Sequence, residues 1–296
     1  MLRNCINLEK LNFGNINTSS VENMKGLFYN CSKLSNIDVS NFDTSVTCMD
    51  RMFYRCENLL SVNLSNFNTS NIDSLRLFFY RCYKITSIDV SSFDTSKVTD
   101  MYAIFRECTN VKTINLGKMN TSLVKDMRCL FYHCENLESI DISSFDTSSV
   151  TLMGWIFFHC YSLKSIEIPQ TFNTSSVISM YSMFSHCKSL ISINLSVFDT
   201  SKVTEMSYMF INCKKMKYLD LSNFFLLNNT SIEYMFKNMT SLIYLNINSL
   251  EINSQTNLDQ TFNLLLPSLK ICSSQPNMKN YISSLKKLII VRIFVL

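Results

Sequence analysis

All three histidines of the chain, His133, His159 and His186, stand directly before a cysteine on three consecutive copies of one recurring unit. Stacking would bring them about 5 Å apart. Three imidazoles at such a place could ligate Zn²⁺ or Cu²⁺. The competing reading is that they are turn residues copied with the unit; no metal or cofactor is therefore assigned, and the three stand as candidates. The cysteines recur more widely: Cys5, Cys31, Cys56, Cys82, Cys108, Cys134, Cys160, Cys187 and Cys213, with Met239 in the tenth place. In a small secreted domain such a number would mean disulfides. Nine thiols in one file cannot all pair, and free cysteine behaves as a small buried hydrophobe, so reduced structural thiols are expected. Cys48, Cys129 and Cys272 fall outside the file.

Two polar files follow the same rhythm. One runs Asn12, Asp38, Asn63, Asp89, Asn115, Asp141, Glu167, Asn194, Asp220, Asn246; the other runs Asn17, Asp43, Asn68, Asp94, Asn120, Asp146, Asn173, Asp199. Amide and acid alternate over the first six units of the one and all eight of the other, which separates carboxylates that would repel at close range. A calcium groove would need more crowded oxygen ligands. Asn17, Asn68, Asn120, Asn173 and Asn229 each open an Asn-Thr-Ser triplet, a glycosylation acceptor in a secreted eukaryotic protein and a product of Asn- and Ser-rich composition otherwise. There is no Gly-rich phosphate loop, and no Ser-His-Asp or Cys-His-Asn set stands apart from the repeats. The chain reads as a non-enzyme.

What must position these files is a stack of coils. Self-similarity at 25 to 27 residues means a solenoid, because one unit alone cannot bury its apolar side. In the unit around Ile88-Asp-Val90, strict alternation predicts a strand, Ile88 and Val90 inward and Asp89 outward. Strands of successive units would pair in parallel. Phe93 anchors the corner, and Asp94-Thr95-Ser96 favour a turn or a helix cap. Val98, Met101, Ile104 and Phe105 then share one face of a short helix, or of a short second strand followed by a single turn. The expected fold is thus a leucine-rich-repeat-like repeat solenoid, with a parallel β-sheet on one face and short helices or helical turns on the other.

Ten such units cover residues 1–252. Residues 253–296 read as a degenerate repeat, with Leu265 in the cysteine place, and a C-terminal capping or truncated anchor segment. A bulge is expected between Phe224 and Ile232. Leu285-Lys-Lys-Leu288-Ile-Ile290 resembles the strand signature once more. The apolar run from Leu288 to Leu296 is too short to span a membrane as a helix and reads as a terminal strand or part of an anchor, so membrane attachment stays open. The net charge of +4 is spread without a basic run, so no nucleic-acid partner is expected. The chain opens in mid-repeat with no signal peptide, which is expected of a fragment.

The phrase Phe198-Asp-Thr-Ser-Lys-Val-Thr-Glu-Met-Ser-Tyr-Met-Phe-Ile-Asn-Cys213, with the Leu-x-x-Ile-x-Leu that follows such units, resembles the BspA-like leucine-rich repeat family. The resemblance implies a surface protein, on the cell surface or secreted, that binds host proteins or other cells; it brings no catalytic residues. Family members often place Gly before the Cys, where this chain has Asn4, Asn30, Arg55, Arg81, Glu107, His133, His159, His186, Asn212 and Asn238. Gly there suits a left-handed backbone, which Asn and His tolerate better than Arg or Glu.

Beside the strands the open-face positions are small and polar in mid-chain. Lys112, Lys164, Ile191, Lys217, Tyr218, Ile243 and Tyr244 are the ligand-binding candidates, with exposed Tyr and Ile as hot-spot residues or as packing for the C-terminal segment. The expected function is adhesion, or binding of a protein or glycan ligand on the strand face. An intracellular, cytoplasmic scaffold is the alternative, and a piece of a larger surface protein a third.

Overall fold

The computed structural model describes residues 2–14, 16–39, 42, 46–227, 229–265 and 268–286. Asp43 and the run from Leu288 lie outside the described residues. The chain winds as a parallel solenoid whose coils advance by about one repeat each. Its strands are short: β1 Lys10–Leu11, β2 Asn36–Ile37, β3 Ser61–Val62, β4 Ser87–Asp89, β5 Thr113–Asn115, β6 Tyr218–Asp220, β7 Tyr244–Asn246 and β8 Lys270–Cys272. They pair in parallel as β1-β2-β3, β4-β5 and β6-β7-β8, with register partners such as Ile88↔Ile114 and Leu245↔Ile271. The equivalent segments at 139–141, 165–167 and 192–194 lie in the same file without forming strand. Near them Pro169, which has no amide to give a ladder, falls in the one cysteine interval of 27 residues, Cys160 to Cys187.

A second ladder runs along the other side. Single parallel bridges link Ser74, Asp100, Asp126, Leu152, Ser179, Glu205, Ser231 and Asn257 in unbroken succession. Of the two expected forms, the segment takes the second, a strand-like bridge followed by turns, and not the helix. The N–H groups of Met101, Ala103, Phe105 and Glu107 donate to the carbonyls of Asp126, Arg128, Leu130 and Tyr132 in the next coil, at 2.7–3.1 Å. The amides between them close local turns, as Cys108 N–H does on the Phe105 carbonyl at 3.2 Å. A helix satisfies its amides within its own chain; here every second amide leaves the coil. The apolar spacing fits the inner side of these turns as well as it fits a helix face, so periodicity alone could not separate the two.

Left-handed residues make this path. The ten positions before the cysteine place all have φ between 55° and 62°, Arg55, Arg81 and Glu107 included. A second left-handed column stands four residues earlier, at Arg51, Leu77, Ala103, Cys129, Trp155, Ser182, Tyr208 and Tyr234. Such φ values are unfavourable for bulky side chains, and the inter-coil bonds on either side hold them there. The irregularity expected between Phe224 and Ile232 is present. Thr230 is buried and its N–H closes a turn on the Leu227 carbonyl, as Val203 N–H does on that of Thr200. Thr230 thus takes the place of Val203 with one residue gained before it. One residue is lost after it, because Ser231 both donates to the Thr204 carbonyl and bridges Glu205. Farther on, Leu264 is left-handed (φ 60°) just before Leu265, and β8 continues the sheet. The helix α1, Pro276–Lys286, comes after it; residues 285 and 286 are therefore helical rather than strand.

The interior is built of files. Phe28, Phe53, Phe79, Phe105, Phe131, Phe157, Phe184, Phe210 and Phe236 stack in sequence at 5.4–6.4 Å between centroids. Each such pair contributes about 0.5–1.5 kcal/mol beyond area burial. Beside them run the thiols. Cys56, Cys82, Cys108, Cys134, Cys160, Cys187 and Cys213 donate to the carbonyl of the file phenylalanine one coil back, at 3.1–3.3 Å. A small apolar side chain with one weak donor suits that place. All twelve cysteines are free. Burial drives these file thiols upward in pKa, that of Cys213 to about 12. The buried threonines form a third file: Thr69, Thr95, Thr121, Thr147 and Thr174 donate to a carbonyl in the following coil at 2.7–3.0 Å.

Candidate functional site on the strand face

Each coil turns at corners held by a side-chain oxygen that accepts the amide two residues on. In one coil Asp89 takes Ser91 N–H at 2.9 Å, Asp94 takes Ser96 N–H at 2.9 Å, and Asp100 takes Tyr102 N–H at 2.8 Å. In the next coil Asn115 and Asn120 do the same for Gly117 and Ser122. Asn and Asp interchange because both present an Oδ1 acceptor. Their alternation also has a bond of its own, since Asn115 Nδ2 donates to Asp89 Oδ2 at 3.2 Å. The Ser91 hydroxyl and amide hold the Asp89 carboxyl below its ordinary pKa, and Ser96 does so for Asp94. These carboxylates work as corner caps. Asn17, Asn68, Asn120 and Asn173 are exposed at one corner of alternate coils.

The histidines meet, but not as ligands around a point. His133 and His159 stack at 4.2 Å between centroids, and His159 and His186 at 4.1 Å. One nitrogen of each is engaged elsewhere: His133 Nδ1 with Glu135 at 3.0 Å, His159 Nδ1 with the Tyr161 hydroxyl at 2.7 Å, and His186 Nε2 with Asn212 at 3.2 Å. Among the described residues no three His, Cys, Asp or Glu side chains are grouped to hold a metal. Burial and the neighbouring imidazoles lower His159 to about 3, and burial and Lys188 lower His186 to about 4. The three form an aromatic stack.

The strand face is concave in places. Four depressions of about 170–540 Å³ lie along it, lined for instance by Lys33, Ser35, Leu60 and Lys84, or by Ser139, Asp141, Ser165 and Glu167. Of the sequence candidates, Ile191, Lys217, Tyr218, Ile243 and Tyr244 come together on three successive coils. Lys217 N–H donates to the Ile191 carbonyl, and Ile243 N–H to that of Lys217. Tyr218 and Tyr244 are direct register partners, and Tyr244 is followed in register by Lys270. Lys164 is exposed and paired with Glu138 at 2.6 Å, while Lys112 stands three coils before Ile191. Tyr218 is 54 % exposed, Ile191 49 % and Ile243 38 %. The helix α1 does not cover them: it buries Met278 and Ile282 against the core, and Tyr281 bonds the Leu258 carbonyl. The cluster is therefore open among the described residues.

Sequence reasoning missed the organisation of the opposite face. Every described arginine, from Arg3 to Arg128, stands on the turns. Arg106 lies over Tyr80 and Tyr132, and Tyr102 lies between Arg76 and Arg128. Tyr29, Tyr54 and Tyr80 stack at 4.5–4.6 Å. The charge is compensated locally, with Arg76 on Asp100, Arg81 and Arg106 on Glu107, and Arg128 on Asp126. Writing the repeats in register would have revealed this column.

Among solved structures, a crystal structure of a leucine-rich repeat protein from Bacteroides ovatus superposes with a TM-score of 0.51 at 17% identity, over 99% of this chain and 85% of that one. The TLR13–ssRNA13 complex aligns with a TM-score of 0.28 at 14% identity, over 87% of this chain and 42% of that one, too distant a likeness to argue from. No curated relative matches. A family model described as "Mycoplasma protein of unknown function, DUF285" matches residues 1–114, 74–168 and 156–266. Together these matches cover most of the chain, which belongs to that family.

Proposed function

We propose that the protein is a non-enzymatic interaction module that binds a protein or glycan ligand across its strand face, in the manner of a BspA-like surface adhesin. The observation that carries this reading is the exposed cluster of Ile191, Lys217, Tyr218 and Ile243, which neither the core nor α1 uses. Exposed aromatic and aliphatic side chains on a rigid frame are what a hot spot requires. The frame is rigid because inter-coil bonds fix each strand segment on the next. Placement at the cell surface is part of the proposal and rests on the family resemblance.

The test is a binding array of matrix proteins and glycans probed with the purified chain and with a Tyr218→Ala/Ile243→Ala variant. A ligand held by the parent and weakened at least about tenfold in the variant is expected, a usual hot-spot loss. A ligand held equally by both would remove the strand face from the reading. A second reading, an intracellular scaffold using the same face, is favoured by twelve free cysteines, since reducing compartments keep thiols unpaired.

A further inference from the structure

Deepening that reading and resting on it, we infer that the occupant of this strand-face cluster is an acidic polypeptide segment carrying an aromatic or aliphatic anchor. Exposed Lys215, Lys217 and Lys270 surround the apolar residues. Lys270 extends the Tyr218–Tyr244 column by one register step. Lys215 holds the place that Lys33 and Lys84 hold in earlier coils, where both line a strand-face depression. Among the described residues none of Lys215, Lys217 and Lys270 is in an ion pair, whereas Lys164 is neutralised by Glu138. The acid closest along the cluster's own strand, Asp220, is occupied as a corner cap for Ser222.

Charge complementarity thus points to carboxylates on the partner. The anchors decide between polymers. Ile191 and Ile243 are branched aliphatic side chains exposed on either side of Lys217, and they offer a sugar ring no flat platform. A leucine, phenylalanine or tyrosine side chain can be buried between them and against Tyr218. The parallel spacing of about 5 Å per coil also suits an extended chain crossing several coils, its acids alternating with its anchors. Arg76, Arg81, Arg106 and Arg128 on the opposite face compete less, because their charge is met there by Asp100, Glu107 and Asp126.

The probes are a random copolymer of glutamate and tyrosine, polyglutamate, heparin and polylysine, each titrated against the full chain at low and physiological salt. The copolymer is expected to bind at least tenfold more tightly than polyglutamate, and to weaken as salt rises. A Lys215→Glu/Lys217→Glu/Lys270→Glu variant should lose both acidic polypeptides at least tenfold. The Tyr218→Ala/Ile243→Ala variant should lose only the copolymer's advantage. Unchanged thermal melting shows that each variant folds. Equal binding of copolymer and polyglutamate, preference for heparin or polylysine, or indifference to the lysine variant would overturn the inference. An array ligand that is neutral or basic, yet lost in the Tyr218→Ala/Ile243→Ala variant, would overturn the acidic class while leaving the strand-face reading intact.

Discussion

The two long sides of the solenoid solve different problems with the same repeat. On the turn side the ladder is continuous from Ser74 to Asn257, the amides reach forward coil by coil, and arginine, tyrosine and carboxylate satisfy one another. On the strand side the ladder is interrupted between β3 and β4 and again between β5 and β6, depressions open, and lysine, tyrosine and isoleucine are left to solvent. Cohesion is concentrated on the turn side, and the proposed recognition falls on the strand side. Substitutions should therefore separate into those that cost stability and those that cost binding.

The largest expected effect is in the core beside the turns. Phe131→Ala removes the ring between Phe105 and Phe157 and should cost about 3–5 kcal/mol in urea denaturation. An effect below about 1 kcal/mol would mean that the stacked file is not the cohesive element. Next comes the threonine file. Thr121 donates to the Asp146 carbonyl and accepts the Asp146 amide, so Thr121→Val strands both groups and should cost about 1–3 kcal/mol. On the strand face, by contrast, Ile243→Ser should change stability by no more than about 0.5 kcal/mol, while weakening the proposed ligand binding. Equal losses at Thr121 and Ile243 would erase the distinction between the two sides.

A pH series sharpens the contrast further. His159 and His186 are held below the ordinary imidazole value of 6.5, at about 3 and about 4. The folded state therefore favours the neutral rings. Their contribution is complete above pH 6.5 and is lost as the pH falls toward those folded values. The melting temperature should drop between pH 6.5 and 4.5, a window above the titration of the depressed aspartates. A His159→Asn/His186→Asn variant, with the residue found at this place in Asn30 and Asn212, should flatten that drop. The smallest signal is chemical. A thiol reagent applied to the native chain should label half-buried Cys5 and Cys48 and leave the buried file silent until unfolding.

Much of the fold could be read from the residues because equivalent positions are copied. The cysteine interval implied the coil, the alternation around Ile88 and Val90 implied the strand, and Asn before Cys implied a left-handed residue. Between a helix and a short strand with turns the residues left both open, because Val98, Met101, Ile104 and Phe105 bury the same way on either. Only the direction of their amides distinguishes the two, and no side chain reports it. The histidines were misleading for a related reason: stacking sets ring against ring, and ring nitrogens that face neighbours do not converge. The strand-face cluster was visible as residue types, but its openness depended on where α1 packs.

The forward reach of the turn amides gives the molecule a polarity in time as well as in space. The donors of Met101, Ala103, Phe105 and Glu107 find acceptors only in the coil that comes after them. During synthesis each new coil would emerge with those donors waiting, and would be completed only when roughly another 26 residues had left the ribosome. Assembly would then advance as a front one coil behind the growing chain, and an arrest at any point would leave a single ragged turn rather than an unfolded domain.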